Sequence, residues 1–117
     1  MTTKPGQYDI TIIQGATLSL QLTYQDADGV AINLTGYTAR LQARTAVDTS
    51  AAFLDLTTEN GGITLGGSAG TITISRTAAQ TAAMTEQSGV YDLELITGST
   101  VSRILAGNII VSREVTR

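Results

Sequence analysis

The chain of 117 residues has no histidine, no cysteine and no tryptophan, and only one proline and one phenylalanine. Each absence closes a route to chemistry. Without cysteine there is neither a disulfide nor a thiolate–metal site. Without histidine, the many Ser and Thr hydroxyls lack their usual activating base. That leaves Lys4, the sole lysine, or a carboxylate, and Lys4 precedes Pro5-Gly6, a pair that does not nucleate regular structure. Aromatics amount to 4% of the residues, too few for a sugar-binding groove. No apolar run approaches the ~18 residues of a membrane span. The segment Met1–Gly6 carries one charged side chain and no apolar stretch, so it does not read as a secretory signal. The net charge is −3 and the seven basic residues are scattered, which disfavours nucleic acid and anionic membranes as partners. The residues therefore point to a non-enzymatic binding or assembly module, with no cofactor.

What the chain does have is alternation. In Thr17–Tyr24, Leu18, Leu20, Leu22 and Tyr24 fall on one face, and Thr17, Ser19, Gln21 and Thr23 on the other. A period of two marks a half-buried strand. The same pattern predicts strands over Tyr8–Ile13, Tyr37–Thr45, Phe53–Leu56, Ile63–Leu65, Thr71–Ser75, Val90–Ile96, Thr100–Ala106 and Ile109–Val111. Gly107-Asn108 reads as a bulge or bend between the last two. Val30–Leu34 reads as a short strand or extended link. Asp28-Gly29, Gly61-Gly62, the Gly66–Gly70 cluster and Thr97-Gly98-Ser99 supply turns, the Gly66–Gly70 tip being read as loose. One short helix is expected over Ala78–Met84, capped by Ser75 or Thr77. The predicted fold is all-β: an antiparallel β-sandwich, Ig-like, with seven to nine short strands and one short crossover helix. A partly closed barrel is the alternative. Expected boundaries are a flexible lead-in over 1–7, the sandwich over 8–112, and a tail or docking strand over 113–117.

Several side-chain groupings invite a chemical reading. Asp26 and Asp28, in Asp26-Ala27-Asp28-Gly29, are the candidate metal ligands. Calcium takes six to eight oxygens, and Val30, Ala31 and Ile32 add none from their side chains. A hairpin turn accounts for Asp-Gly without a metal, so no metal is assigned. Asp55 and Glu59 form a carboxylate pair, but nothing around them suggests a substrate groove. Arg40 and Arg44 share a strand face with Gln42, either as a phosphate-binding stripe or as a solvated sheet face. Arg103 is placed to pair with Asp92 or Glu94 across a hairpin. Gly66–Gly70 lacks the Gly-Lys-Ser/Thr ending of a phosphate loop. Unpaired sheet edges accept strands from other chains, and the first and last strands are the expected docking places.

Longer stretches add a resemblance. Tyr8-Asp9-Ile10-Thr11-Ile12, Gln14-Gly15-Ala16-Thr17, Asp26-Ala27-Asp28-Gly29 and Asn33-Leu34-Thr35-Gly36-Tyr37-Thr38-Ala39-Arg40 resemble a group of small tailed-bacteriophage virion and tail proteins. Leu56–Ile63, Gly89–Leu95 and Gly107–Arg117 continue it, in order, over almost the full chain. The strand order also looks like the N-terminal domain of phage baseplate upper proteins, which anchors a receptor-binding arm. No such arm follows Arg117 in this sequence. The resemblance implies a structural component of a tailed-phage virion: a tail, baseplate or fibre-attachment adaptor. Its partners would be other virion proteins and further copies of itself, and it would be made in the host cytoplasm. Capsid decoration and a host-surface carbohydrate- or calcium-binding module are the alternatives.

Overall fold

A computed structural model describes residues 6–85 and 88–113. Among these, nine strands and one short helix run in the order β1 (Gly6–Gln7), β2 (Ile10–Ile13), β3 (Leu18–Thr23), β4 (Thr38–Arg44), β5 (Leu54–Thr57), β6 (Ile63–Leu65), β7 (Thr71–Arg76), α1 (Ala78–Ala82), β8 (Ser88–Thr97) and β9 (Thr100–Ser112). They form two packed sheets. The larger has the order β1-β9-β8-β4-β5, with β2 continuing β1 along β9; the smaller has the order β3-β7-β6. This is an Ig-like sandwich. The small sheet corresponds to strands B, E and D of that fold, and β5, β4, β8 and β9 to C′, C, F and G.

The alternation predicts the faces of β4 and β8 correctly; in the first strand it places Ile10 and Ile12 inside, but Tyr8, expected beside them, is exposed. Ala39, Leu41 and Ala43 of β4, Leu54 and Leu56 of β5, and Tyr91, Leu93 and Leu95 of β8 are all buried. Opposite them lie Ile72 and Ile74 of β7 and Ile63 of β6. Cross-strand register stacks apolar on apolar: Leu56, Leu41, Leu93 and Leu105 form one row across four strands. Leu18, Leu20 and Leu22 of β3 also point inward, yet remain only half-buried.

Four features differ from the sequence expectation. First, the sandwich is not wholly antiparallel: β1 and β2 run parallel to β9. The strand expected from Tyr8 begins at Gly6 and is interrupted at Tyr8-Asp9, so the lead-in expected over 1–7 does not extend to Gly6 and Gln7; residues 1–5 lie outside the described residues, as do 114–117 of the expected tail. Second, β9 is one strand of 13 residues without a break at Gly107-Asn108. Its irregularity falls at Ile104, because Leu93 pairs with Leu105 while Glu94 pairs with Arg103. Third, the Gly66–Gly70 tip is pinned. Leu34 N–H donates to Gly67 C=O at 2.9 Å and Tyr24 N–H to Gly70 C=O at 2.8 Å. Gly70 has φ +70°, and a Cβ there would lie 2.8 Å from Ile32 O, so the tip packs under the 24–34 link. Fourth, α1 is shorter than expected, and Ser88 opens β8. Thr77 caps α1 through a capping box with Gln80. Thr81, fully buried, accepts from Gly15 N–H at 3.0 Å and donates to Ala16 C=O at 2.8 Å, which fastens the β2–β3 turn to the helix.

The contrast in burial yields a stability prediction. Leu93→Ala is expected to lower unfolding free energy by ~2–5 kcal/mol, because its site is closed on all sides. Leu20→Ala is expected to cost roughly half as much, since its side chain already meets solvent. Urea denaturation of both variants checks the ratio; equal costs would contradict the open-flank description of β3.

Candidate assembly surfaces

Three surfaces concentrate the polar and unpaired groups. The outward face of the large sheet carries Arg40, Gln42 and Arg44 of β4, Asp92 and Glu94 of β8, and Arg103 of β9, around a shallow depression of about 480 Å³. Its charges compensate one another. Arg40 pairs with Glu94 at 3.3 Å and Arg103 with Asp92 at 3.6 Å. Arg44 donates to Ser50 C=O at 2.8 Å, to Thr49 C=O at 3.3 Å and to Gln42 Oε1 at 2.9 Å. Arg40 and Arg44 are therefore engaged in a solvated sheet face, the second of the two readings above. Arg103 sits opposite Glu94 in register but reaches Asp92, a diagonal contact beside the irregularity at Ile104. Such exposed pairs contribute only ~0–1 kcal/mol each.

The second surface is the joint between the first and last strands. β1 and β2 keep the same register against β9 on both sides of Tyr8-Asp9. At the break, three groups replace a regular ladder. Tyr8 N–H donates to Ala106 C=O at 3.0 Å. The Asp9 carboxylate accepts from Asn108 N–H at 3.0 Å. The Tyr91 hydroxyl reaches in from β8 and donates to Tyr8 C=O. Gly107 makes this crossing feasible, because a Cβ there would lie 2.2 Å from Tyr8 O. Burial of Tyr91, then the nearby Asp9 carboxylate, then Tyr8, push its phenol well above the usual tyrosine range.

The remaining sequence candidates lie in turns and make local contacts. Asp26 Oδ1 accepts from Asp28 N–H at 2.9 Å and from Val30 N–H at 3.0 Å, which closes the turn that brings Gln25 against Ala31. Asp26 thus serves its own backbone, and no group of three or more acids gathers among the described residues. Asp55 and Glu59 make separate local contacts. Glu59 accepts from the Thr58 hydroxyl at 3.0 Å, and Asp55 contributes its backbone carbonyl to Asn60 Nδ2 at 2.9 Å.

The third surface is the set of sheet edges, and here the structure corrects one of the two expected docking places: the first strand lies at an edge, but the last does not. β9 is internal, flanked by β8 on one side and β1 and β2 on the other. The edges are β1/β2, β5, β3 and β6. The β1/β2 edge is broken at Tyr8-Asp9 and carries a charge. The β5 edge is covered by its own turn: Asn60 accepts from Thr57 N–H at 3.0 Å and donates to Asp55 C=O. β6 has only three residues. β3 has six, Leu18–Thr23, with no charge, no Pro and no bulge. Among the described residues no strand pairs with its outer side, and neither charge, proline nor bulge blunts it. Beside it, a cleft of about 400 Å³ opens between the sheets, lined by Tyr8, Leu22, Tyr24, Ile104 and Leu105 among others.

No protein-family model matches this chain. No curated protein matches it either. Among solved structures, one from a study of multimeric cell-adhesive interactions of VGSC beta subunits is similar over 97% of this chain and 99% of that one, at 15% identity and a TM-score of 0.47. A likeness at that level says nothing about partners or activity.

Two outcomes test the strand joint. Tyr91→Phe removes the donor to a part-buried carbonyl and is expected to cost ~1–3 kcal/mol at neutral pH. The raised Tyr91 pKa also fixes a sign. Below pH ~10 both folded and unfolded chains hold the proton; above it the unfolded chain releases it more readily, so stability falls as pH rises. Urea titrations at neutral pH and above pH ~10 check this: wild type is expected to lose stability more steeply than Tyr91→Phe in the alkaline range.

Proposed function

We propose that this chain is a non-enzymatic structural module of a tailed-phage virion, an adaptor at the tail, baseplate or fibre attachment site that assembles in multiple copies with other virion proteins. The observation that supports an assembly role is the β3 edge. Its outward backbone groups have no strand beside them among the described residues, and its leucines stay half-buried where their β7 neighbours Ile72 and Ile74 are closed off. An edge in that condition takes up a strand from another chain. The resemblance to small phage virion proteins directs the reading to a particle. The driving force is interface burial, on the order of 1,000 Å² or more for a contact that persists.

Mass spectrometry of purified tailed particles, from cells carrying the intact or a disrupted coding sequence, tests this. The chain is expected in the particle fraction in multi-copy amount, and its loss is expected to leave particles incomplete. Recovery solely in the soluble fraction, with normal particles in its absence, would overturn the reading. Where the chain sits in a reconstructed particle separates a tail adaptor from capsid decoration.

A further inference from the structure

We propose that β3 pairs antiparallel with β3 of a second copy about a two-fold axis at Gln21, joining two three-stranded sheets into one continuous sheet. The proposal deepens the assembly reading and rests on it for the premise that this edge is used.

The backbone sets the register. Tyr24 N–H donates to Gly70 C=O, and β3–β7 pairing continues from there through Leu22–Ile72, Leu20–Ile74 and Leu18–Arg76. In an antiparallel ladder, hydrogen-bonded pairs recur at every second residue. The N–H and C=O groups of Leu18, Leu20 and Leu22 therefore point to β7. Those of Ser19, Gln21 and Thr23 point to the open edge. A two-fold axis at Gln21 sets Gln21 against Gln21 of the second copy, and Ser19 against its Thr23. These are the positions whose backbone groups face outward, so each pair exchanges two hydrogen bonds.

Side chains match in the same register. Hydroxyl meets hydroxyl at Ser19 and Thr23, amide meets amide at Gln21, and leucine meets leucine at Leu20 and Leu22. Leu18 meets Tyr24. The strand has no charge, so two copies meet without like-charge repulsion. Among the described residues Gln21 makes one long side-chain contact, from its Nε2 to Thr73 Oγ1 at 3.5 Å, which leaves its amide available to a second copy. The neighbouring face continues the theme with Thr64, Thr71, Thr73 and Ser75, again uncharged. This self-match is why a second copy is favoured over an unrelated strand. Pairing also shields the flanks of Leu20 and Leu22, the apolar surface that the isolated fold leaves half-open. One strand pair buries less than a standard interface, so the isolated dimer is expected to be weak, and repetition in a particle strengthens it.

Sedimentation equilibrium of the full chain tests this, with thermal unfolding to confirm that each variant is folded. Wild type is expected to dimerise reversibly below about 500 µM. Gln21→Lys and Gln21→Glu each place like charges opposite one another at the axis and are expected to weaken the dimer roughly ten-fold or more. Mixing the two variants is expected to restore association as a heterodimer. A wild-type chain that stays monomeric to about 500 µM, a dimer indifferent to both substitutions, or a mixture no stronger than either variant alone would each overturn the pairing. The failures are distinguishable: a monomer that still enters particles removes this pairing alone, whereas absence from particles removes the assembly reading.

Discussion

The arrangement depends on where the first strand sits. Had β1 and β2 lain along β3, the small sheet would have gained a fourth strand and its flank would be closed. Instead both run parallel to β9, in one register held across the break at Tyr8-Asp9. Parallel pairs are slightly weaker per residue than antiparallel ones. The joint compensates through side chains, with the Asp9 carboxylate on Asn108 N–H and the Tyr91 hydroxyl on Tyr8 C=O. It needs Gly107, because the Tyr8 backbone occupies the space of a Cβ. A packing choice at one flank of the large sheet thereby leaves an unpartnered edge on the small one.

The two sheets divide the labour. The large sheet supplies the closed part of the core, where Leu41, Leu56, Leu93 and Leu95 are almost wholly removed from water. Its outward face spends its charges internally, in two ion pairs and the Arg44 contacts. The small sheet is the reverse. It is half-open at β3, uncharged on its outward face, and fastened by loops at its two ends: the pinned Gly66–Gly70 tip at one and the Thr81 contact to the β2–β3 turn at the other. No disulfide joins the sheets, so apolar contact and these side-chain bonds carry the closure.

Much of this was legible in the residues because strand alternation depends only on local geometry. The inward sets on β4 and β8 follow directly from the period of two. The Asp26 turn and a helix cap at Ser75 or Thr77 were readable for the same reason, since each is settled within five residues; the structure selects Thr77. What escaped was long-range pairing. Tyr91 and Tyr8 are far apart in the chain, and nothing in the spacing of either announces the other. Gly107 did signal an irregularity, but a glycine in a strand marks either a bend or a close approach, and only the neighbouring strand decides between them. The same ambiguity made the last strand look like an edge. Its alternation at Ile109–Val111 fits an edge or an internal strand equally well, because sequence fixes which face is wet and not which neighbour is present.

That distinction carries to the assembly surface. β3 was the clearest strand in the chain, with Leu18, Leu20 and Leu22 set against Ser19, Gln21 and Thr23, and periodicity alone would place it in a finished core. Its exposure becomes visible only when its neighbours are known. A chain that leaves a six-residue edge without charge, proline or bulge runs the risk of unselective pairing. The other three edges are interrupted, capped or short, so blunting devices are available to this fold and are missing at this one strand. In solution the flank costs little, because three half-covered leucines expose modest area. An array joined through this flank, as proposed, would take its direction from it: backbone ladders fix register and orientation together, which apolar contact alone does not.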